Sequence, residues 1–148
     1  MIFPPPPVAP AVSAAPAKAD AVAQTGLVLF AHGARDPEWA EPFRAIAARV
    51  AAGRKDLTVK LAFLEMQPPS LADAITELAT AGHGTIHIAP LFMAQGGHLK
   101  KDVPVLLAEI SRQQPGLKIE LLPAIGDVPG LRDAIADWLT GAVPGASA

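Results

Sequence analysis

The chain has 148 residues, a formal net charge of −2 and a hydrophobic fraction of 51%, which suits one domain with a substantial core. Acids and bases are interspersed, so the basic footprint of a nucleic-acid binder is missing. There is no cysteine, which removes disulfides, thiolate metal sites and cysteine nucleophiles together, and no apolar run approaches the roughly 20 residues of a membrane span. The composition therefore predicts a soluble, cytoplasmic domain with neither nucleic acid nor membrane as partner.

Residues 1–24, MIFPPPPVAPAVSAAPAKADAVAQ, are almost entirely Pro, Ala and Val and carry no period of 2 or 3.6. Stacked prolines favour extended polyproline II and cannot enter a helix interior. A secretory signal needs a basic region ahead of an unbroken apolar core, whereas four prolines come first here. The stretch reads as a disordered Pro/Ala-rich arm. An upstream start codon misassigned in a GC-rich genome explains it equally well. The globular part is expected over residues 25–141, with 142–148 a frayed end.

From Thr25 onward strand-like apolar runs alternate with helical spacing. The runs are Gly26–Ala31, Thr58–Leu64, Thr85–Phe92 and Lys118–Leu122. After the first, Asp36-Pro37-Glu38 supplies an N-cap and a proline at the first helical position, and the helix ends near Gly53. The second helix opens at Pro68-Pro69-Ser70, with Asp73 three residues after the serine, and ends at Gly82. The third is expected to start between Asp102 and Pro104 and to stop before Pro115-Gly116. The fourth opens near Asp127 and runs through Trp138. Successive strands begin roughly thirty residues apart, the size of a βα unit. Strands apolar throughout predict an α/β fold: a four-stranded parallel sheet with helices on both faces, a flavodoxin-like three-layer α/β/α arrangement; in a 2-1-3-4 order, strands one and three would be neighbours across the switch point.

In such sheets the ligand crevice lies beyond the carboxyl ends of the strands, where strand order reverses. His32 ends the first strand, Glu65 follows the second and Gln95-Gly96-Gly97-His98 follows the third. His32 and His98 each border glycine, which lets the backbone bend sharply and a ligand come close. His83, in a turn, and His87, inside a strand, read instead as structural. Two imidazoles and a carboxylate suit Co²⁺, Ni²⁺, Fe²⁺ or Zn²⁺, and so few protein ligands leave coordination open, as catalysis or metal transfer requires. A histidine phosphatase is a rival reading of HGAR, but Ala31 stands where the phosphate-holding arginine belongs.

Three motifs in order, HGARDPEWAEPF, FLEMQPPSL and PLFMAQGGHLKKDVP, make Leu27 to Leu139 resemble the small sirohydrochlorin cobaltochelatases. These are class II chelatases related to the siroheme ferrochelatases and nickel-inserting enzymes. Ala34 departs from the serine of many relatives, at a position that offers no ligand atom. The resemblance implies a lyase that inserts a divalent metal, Co²⁺ first with Ni²⁺ or Fe²⁺ as alternatives, into a sirohydrochlorin-type tetrapyrrole of cobalamin or siroheme biosynthesis. It needs no organic cofactor. His32 is implied as metal ligand and catalytic base, and His98 as second metal ligand. Glu65 and the segment Met93, Ala94, Gln95, Gly96, Gly97 and His98 are implied to contact the tetrapyrrole. Arg35, Lys100 and Lys101 flank the expected mouth and suit substrate carboxylates, or form only a solvated basic rim. Larger chelatases carry two such units in tandem, and this chain has no second HGxR or GGH motif, so a homodimer is implied. The competing class is a non-enzymatic metal carrier or regulator on the same fold.

Overall fold

The computed structural model describes residues 24–146, so the arm expected over residues 1–24 lies outside the described residues but for Gln24. Strands β1 (Thr25–Ala31), β2 (Leu57–Phe63), β3 (Thr85–Pro90) and β4 (Lys118–Leu121) form one parallel sheet in the order β2-β1-β3-β4. Each strand lies within two residues of its apolar run. This order makes β1 and β3 neighbours.

Helix α1 (Glu41–Gly53) follows a 3-10 turn, Pro37–Ala40, where the Asp36 carboxylate accepts from Glu38 N at 2.9 Å. Helix α2 (Leu71–Thr80) is capped by Ser70, whose Oγ accepts from Asp73 N at 3.1 Å. Each cap satisfies a donor that the first helical turn leaves unpaired. Helix α3 spans Gly97–Gln113, and α4 (Pro129–Ala142) follows a second 3-10 turn, Ile125–Asp127.

The start of α3 corrects the sequence expectation. The helix begins at Gly97, not between Asp102 and Pro104, and Pro104 lies inside it. Leu99, Val103, Leu107 and Ile110 all pack on the core cluster, a spacing that carries the helix through the proline. Pro104 costs the backbone one donor there, and the buried stripe outweighs the loss. His98, Lys100 and Lys101 are consequently helical residues rather than loop residues.

The two faces of the sheet are covered unequally. On one, Val28, Phe30, Ile86 and Ile88 from the strands meet Leu71, Ala74, Ile75 and Leu78 of α2 and the stripe of α3 in one buried cluster. On the other, the 3-10 turn and α1 cover the β2 side through Trp39, Ala40 and Phe43 packed on Ala31, Leu61 and Phe63. Helix α4 has no buried residue. Among the described residues no helix is long and apolar enough to cross a membrane.

Candidate functional site

The carboxyl edge of the sheet is built by close approaches of backbone. Leu64 N donates to Ala31 O at 2.9 Å and Glu65 N to His32 O at 3.0 Å, so the loops after β1 and β2 continue the sheet pairing past its last residues. Gly33 makes this possible. Its φ is +89°, and a Cβ there would stand 2.0 Å from Glu65 O. Only glycine combines that dihedral with that contact. The abrupt glycine after an apolar strand thus serves to press the His32 and Glu65 backbones together.

The ring of His32 is exposed, with one side held by Phe92 at a centroid distance of 4.5 Å and an interplanar angle of 67°. Phe92 is buried and meets Phe30 edge-on at 5.4 Å, so the imidazole leans on a fixed aromatic wall of the core. Beyond Phe92 the chain is pinned again. Gly126 N donates to Phe92 O at 3.1 Å, and the bare Cα of Gly126 lies against Met93 O with no room for a side chain.

The expected residues fall into two groups. His32 and Glu65 are brought together through their backbones, and both side chains are exposed. Met93, Ala94 and Gln95 form the turn between β3 and α3, with Met93 exposed. Gly96 caps α3, whose first residue is Gly97 and whose second is the exposed His98. That helix starts at the carboxyl edge, where the N–H groups of its first turn are unpaired and its dipole is positive. Arg35, Lys100 and Lys101 are exposed on the same side and take part in none of the ion pairs among the described residues. No group of three or more His, Cys, Asp or Glu stands close enough to hold a metal among the described residues. The described residues thus offer at most a partial ligand shell.

The remaining histidines have other partners. His83 is 4% exposed, and its Nδ1 lies 3.3 Å from Gln24 O. His87 Nδ1 lies 3.2 Å from a Glu120 carboxylate oxygen across the β3–β4 pair.

Sequence reasoning missed three contributors. Phe92, at the end of its apolar run, backs the His32 ring; Gln67 ties the two loops through its Oε1, which accepts from Ala34 N at 3.1 Å; and Gly126 seats Met93. The glycine of Ile125-Gly126-Asp127 was the one available signal. The others are visible only once the loops meet. Met93 also borders an apolar groove of about 260 Å³ with Ile125, Leu131, Ala134, Ile135 and Trp138.

Comparison with known proteins agrees with this architecture. The CbiX family model matches residues 26–142. A sirohydrochlorin cobaltochelatase of Saccharolobus islandicus (strain L.S.2.15 / Lassen #1) is 33% identical over 118 residues, covering 77% of this chain and 89% of that protein. One from Sulfurisphaera tokodaii is 37% identical over 103 residues, covering 68% and 79%. Among solved structures, a CbiX protein from Marinobacter aquaeolei VT8 superposes with a TM-score of 0.69 at 30% identity, over 80% of this chain and 96% of that one. The sirohydrochlorin chelatase SirB from Bacillus subtilis subspecies spizizenii, in complex with cobalt, gives a TM-score of 0.67 at 20% identity, over 80% of this chain but only 50% of that one.

Proposed function

The chain belongs to the CbiX family, and from that premise we propose that it inserts a divalent metal, Co²⁺ first, into sirohydrochlorin. The observation that carries the reading is the exposed His32 ring, braced by Phe92 and with its carbonyl bonded to Glu65 N. An imidazole held on one side and open on the other is suited to take a metal or a proton and to release it again.

The chemistry follows from the balance of the reaction. As M²⁺ enters a tetrapyrrole two N–H protons leave, so the site needs a base and ligands that let go. Neutral imidazole serves as both. His32 would hold the metal first and, once the metal has passed to the macrocycle, accept one pyrrole proton on the freed nitrogen while the other proton leaves to water; His98, in the first turn of α3, gives the second imidazole. Glu65 and the turn from Met93 to Gly97 contact the macrocycle. Arg35, Lys100 and Lys101, together with the unpaired N–H groups opening α3, meet its peripheral carboxylates. A metal carrier would hold its ion in a fuller shell than two imidazoles, which favours the chelatase over the carrier.

The groove beside Met93, about 260 Å³, is smaller than the 300–1,000 Å³ typical of ligand sites and far too small for a tetrapyrrole. The working form is accordingly a homodimer, in which a second copy closes the cleft. The protein acts in the cytoplasm, in the cobalt branch of tetrapyrrole synthesis that leads to cobalamin.

Anaerobic insertion assays test this. Free sirohydrochlorin is mixed with enzyme and Co²⁺, Ni²⁺ or Fe²⁺ in parallel, and the macrocycle absorption is followed. The expected result is catalysed change with all three metals and the highest kcat/KM with Co²⁺. Metal binding without any spectral change of the tetrapyrrole would identify a carrier.

A further inference from the structure

The fourth βα unit supplies none of the residues assigned to metal or macrocycle, yet its loop is built into the site. Of the 12 glycines, Gly33 and Gly126 are the two where an added Cβ would strike neighbouring backbone among the described residues. Gly33 presses on Glu65 and Gly126 on Met93, so both lie at the carboxyl edge of the sheet, where His32 and His98 stand. Gly126 is buried, and a Cβ there would overlap Met93 O and stand 2.8 Å from Met93 Cα. Its φ lies outside the left-handed region, so Gly126, unlike Gly33, is needed for space alone.

What Gly126 holds is the stretch of chain that holds the candidate ligands. Leu91 N donates to Phe30 O at 2.8 Å and Gly126 N to Phe92 O at 3.1 Å. The end of β3 is thus tied to β1 on one side and to the turn after β4 on the other. Among the described residues Met93, Ala94 and Gln95 make no backbone hydrogen bond of their own before Gly96 caps α3. The turn therefore hangs from the Phe92–Gly126 contact at one end and from α3 at the other. Phe92 is 2% exposed and braces the His32 ring at 4.5 Å, and beyond the turn comes His98. A Met93 peptide pushed off its seat would displace both supports.

We propose that Gly126 is a positioning residue for metal insertion. Its missing side chain lets the turn after β4 clamp the Phe92–Met93 backbone, and that clamp sets the aim of the His32 ring and the point from which α3 carries His98. Gly126 touches neither metal nor macrocycle and acts only through Phe92 and Met93. The inference rests on the chelatase reading for what the aimed ring does, while the clamp itself stands apart from that reading. Gly33 and Gly126 then do one job from two sides: each removes a methyl group so that a loop lies backbone to backbone against its neighbour.

The test is Gly126→Ala, with Gly130→Ala as control, because a Cβ at Gly130 meets nothing within 4 Å. The added methyl should push the Met93 turn back by roughly 1 Å, a misplacement that costs about 100-fold in rate, so kcat for cobalt insertion should fall about that far while Gly130→Ala stays within about twofold. A second readout separates positioning from mere packing. The four histidines give four ring signals by ¹H–¹³C NMR, assigned by single substitutions. Gly126→Ala should shift the His32 signal, which feels the ring current of Phe92, and leave those of His83 and His87 in place. If Gly126→Ala does not fold, ¹³C relaxation is measured on wild type and Phe92→Leu: the exposed His32 ring should be as ordered as that of buried His83 in the first and loosened in the second. An unmoved His32 signal in folded Gly126→Ala overturns the clamp, and so does a His32 ring already loose in the wild type. A moved signal with undiminished insertion overturns the positioning role and leaves the chelatase. A moved signal in a protein whose wild type inserts no metal removes the chelatase and leaves the clamp.

Discussion

Of the four histidines, His32 and His98 stand at the carboxyl edge of the sheet, and His83 and His87 stand along β3 and at its amino end. The first pair is exposed, borders glycine, and among the described residues has no hydrogen-bonding side-chain partner; His32 meets only the edge of an aromatic ring. The second pair is engaged: His83 with the Gln24 carbonyl at 3.3 Å, His87 with the Glu120 carboxylate at 3.2 Å. The same side chain is kept free in one region and used up in the other. A metal ligand and base must exchange partners in every turnover, whereas a structural histidine gains from keeping its one partner. Substitutions at the four positions should separate the regions by what they damage.

The largest effect is expected at His32. His32→Ala removes a ligand and the base together and should lower kcat for cobalt insertion by about 100- to 10,000-fold, the span of acid–base catalysis. The fold should survive, since the side chain is exposed. Steady-state insertion rates together with a thermal melt check both halves. A melt that collapses with the activity would move His32 into the structural group.

His98→Ala should come next, with the loss in metal use rather than in tetrapyrrole binding. The KM for Co²⁺ is expected to rise about tenfold or more, in line with the cost of disturbing a metal's ligand environment. Fluorescence titration of sirohydrochlorin should change little. Acid should imitate this variant in the wild type, because protons compete with metal for imidazole. Initial rates should fall as pH drops and recover in part when metal is raised. Recovery should stay incomplete, because the pyrrole proton still needs neutral His32. A rate flat from pH 8 to about 5 would point to carboxylates as the working groups.

At His83 the damage should change kind. The residue is 4% exposed, so removing its ring leaves a gap in the packing and frees the Gln24 carbonyl to water, at a cost of about 0.5–3 kcal/mol. Denaturant midpoints should drop accordingly, while kcat per folded molecule stays within about twofold, well short of the acid–base range. A selective loss of kcat in stable His83→Ala would break the division between the two regions.

How far this division could be read from sequence depended on the range of the interactions involved. Strands announced themselves as apolar runs, and the runs ending at Ala31 and near Pro90 fixed where His32 and the Met93 turn would stand. Caps at Asp36 and Ser70 were equally local. The start of α3 is masked in the sequence because Gly96-Gly97 looks like loop and Pro104 like a first helical residue. Only the contacts of Leu99 and Val103 with the core reveal the earlier start. Phe92 behind His32 and Gln67 beneath Ala34 arise from loops meeting across the sheet edge, which no spacing encodes.

The smallest expected effect lies on the β3–β4 pair, at Glu120. A hydrogen bond from the Lys118 ammonium at 2.9 Å, and then the charge of that group, hold the Glu120 carboxyl below its usual range, with His87 adding a weaker pull. A carboxyl with a depressed folded-state pKa stabilises the protein above the unfolded value, and that contribution is lost as pH falls through the folded value. Wild type should therefore melt slightly above Glu120→Gln at neutral pH. The gap should close in acid, below the ordinary glutamate range near 4.3. The groups are solvent-exposed, so the gap should be small and should shrink in high salt. Melting curves of both proteins at pH 7 and pH 3, each at low and high salt, measure it. Cobalt insertion by Glu120→Gln should match wild type, because its carboxylate holds His87 and Lys118 rather than substrate. A gap that widened in acid would mean that the carboxyl is destabilised, not stabilised, by its neighbours.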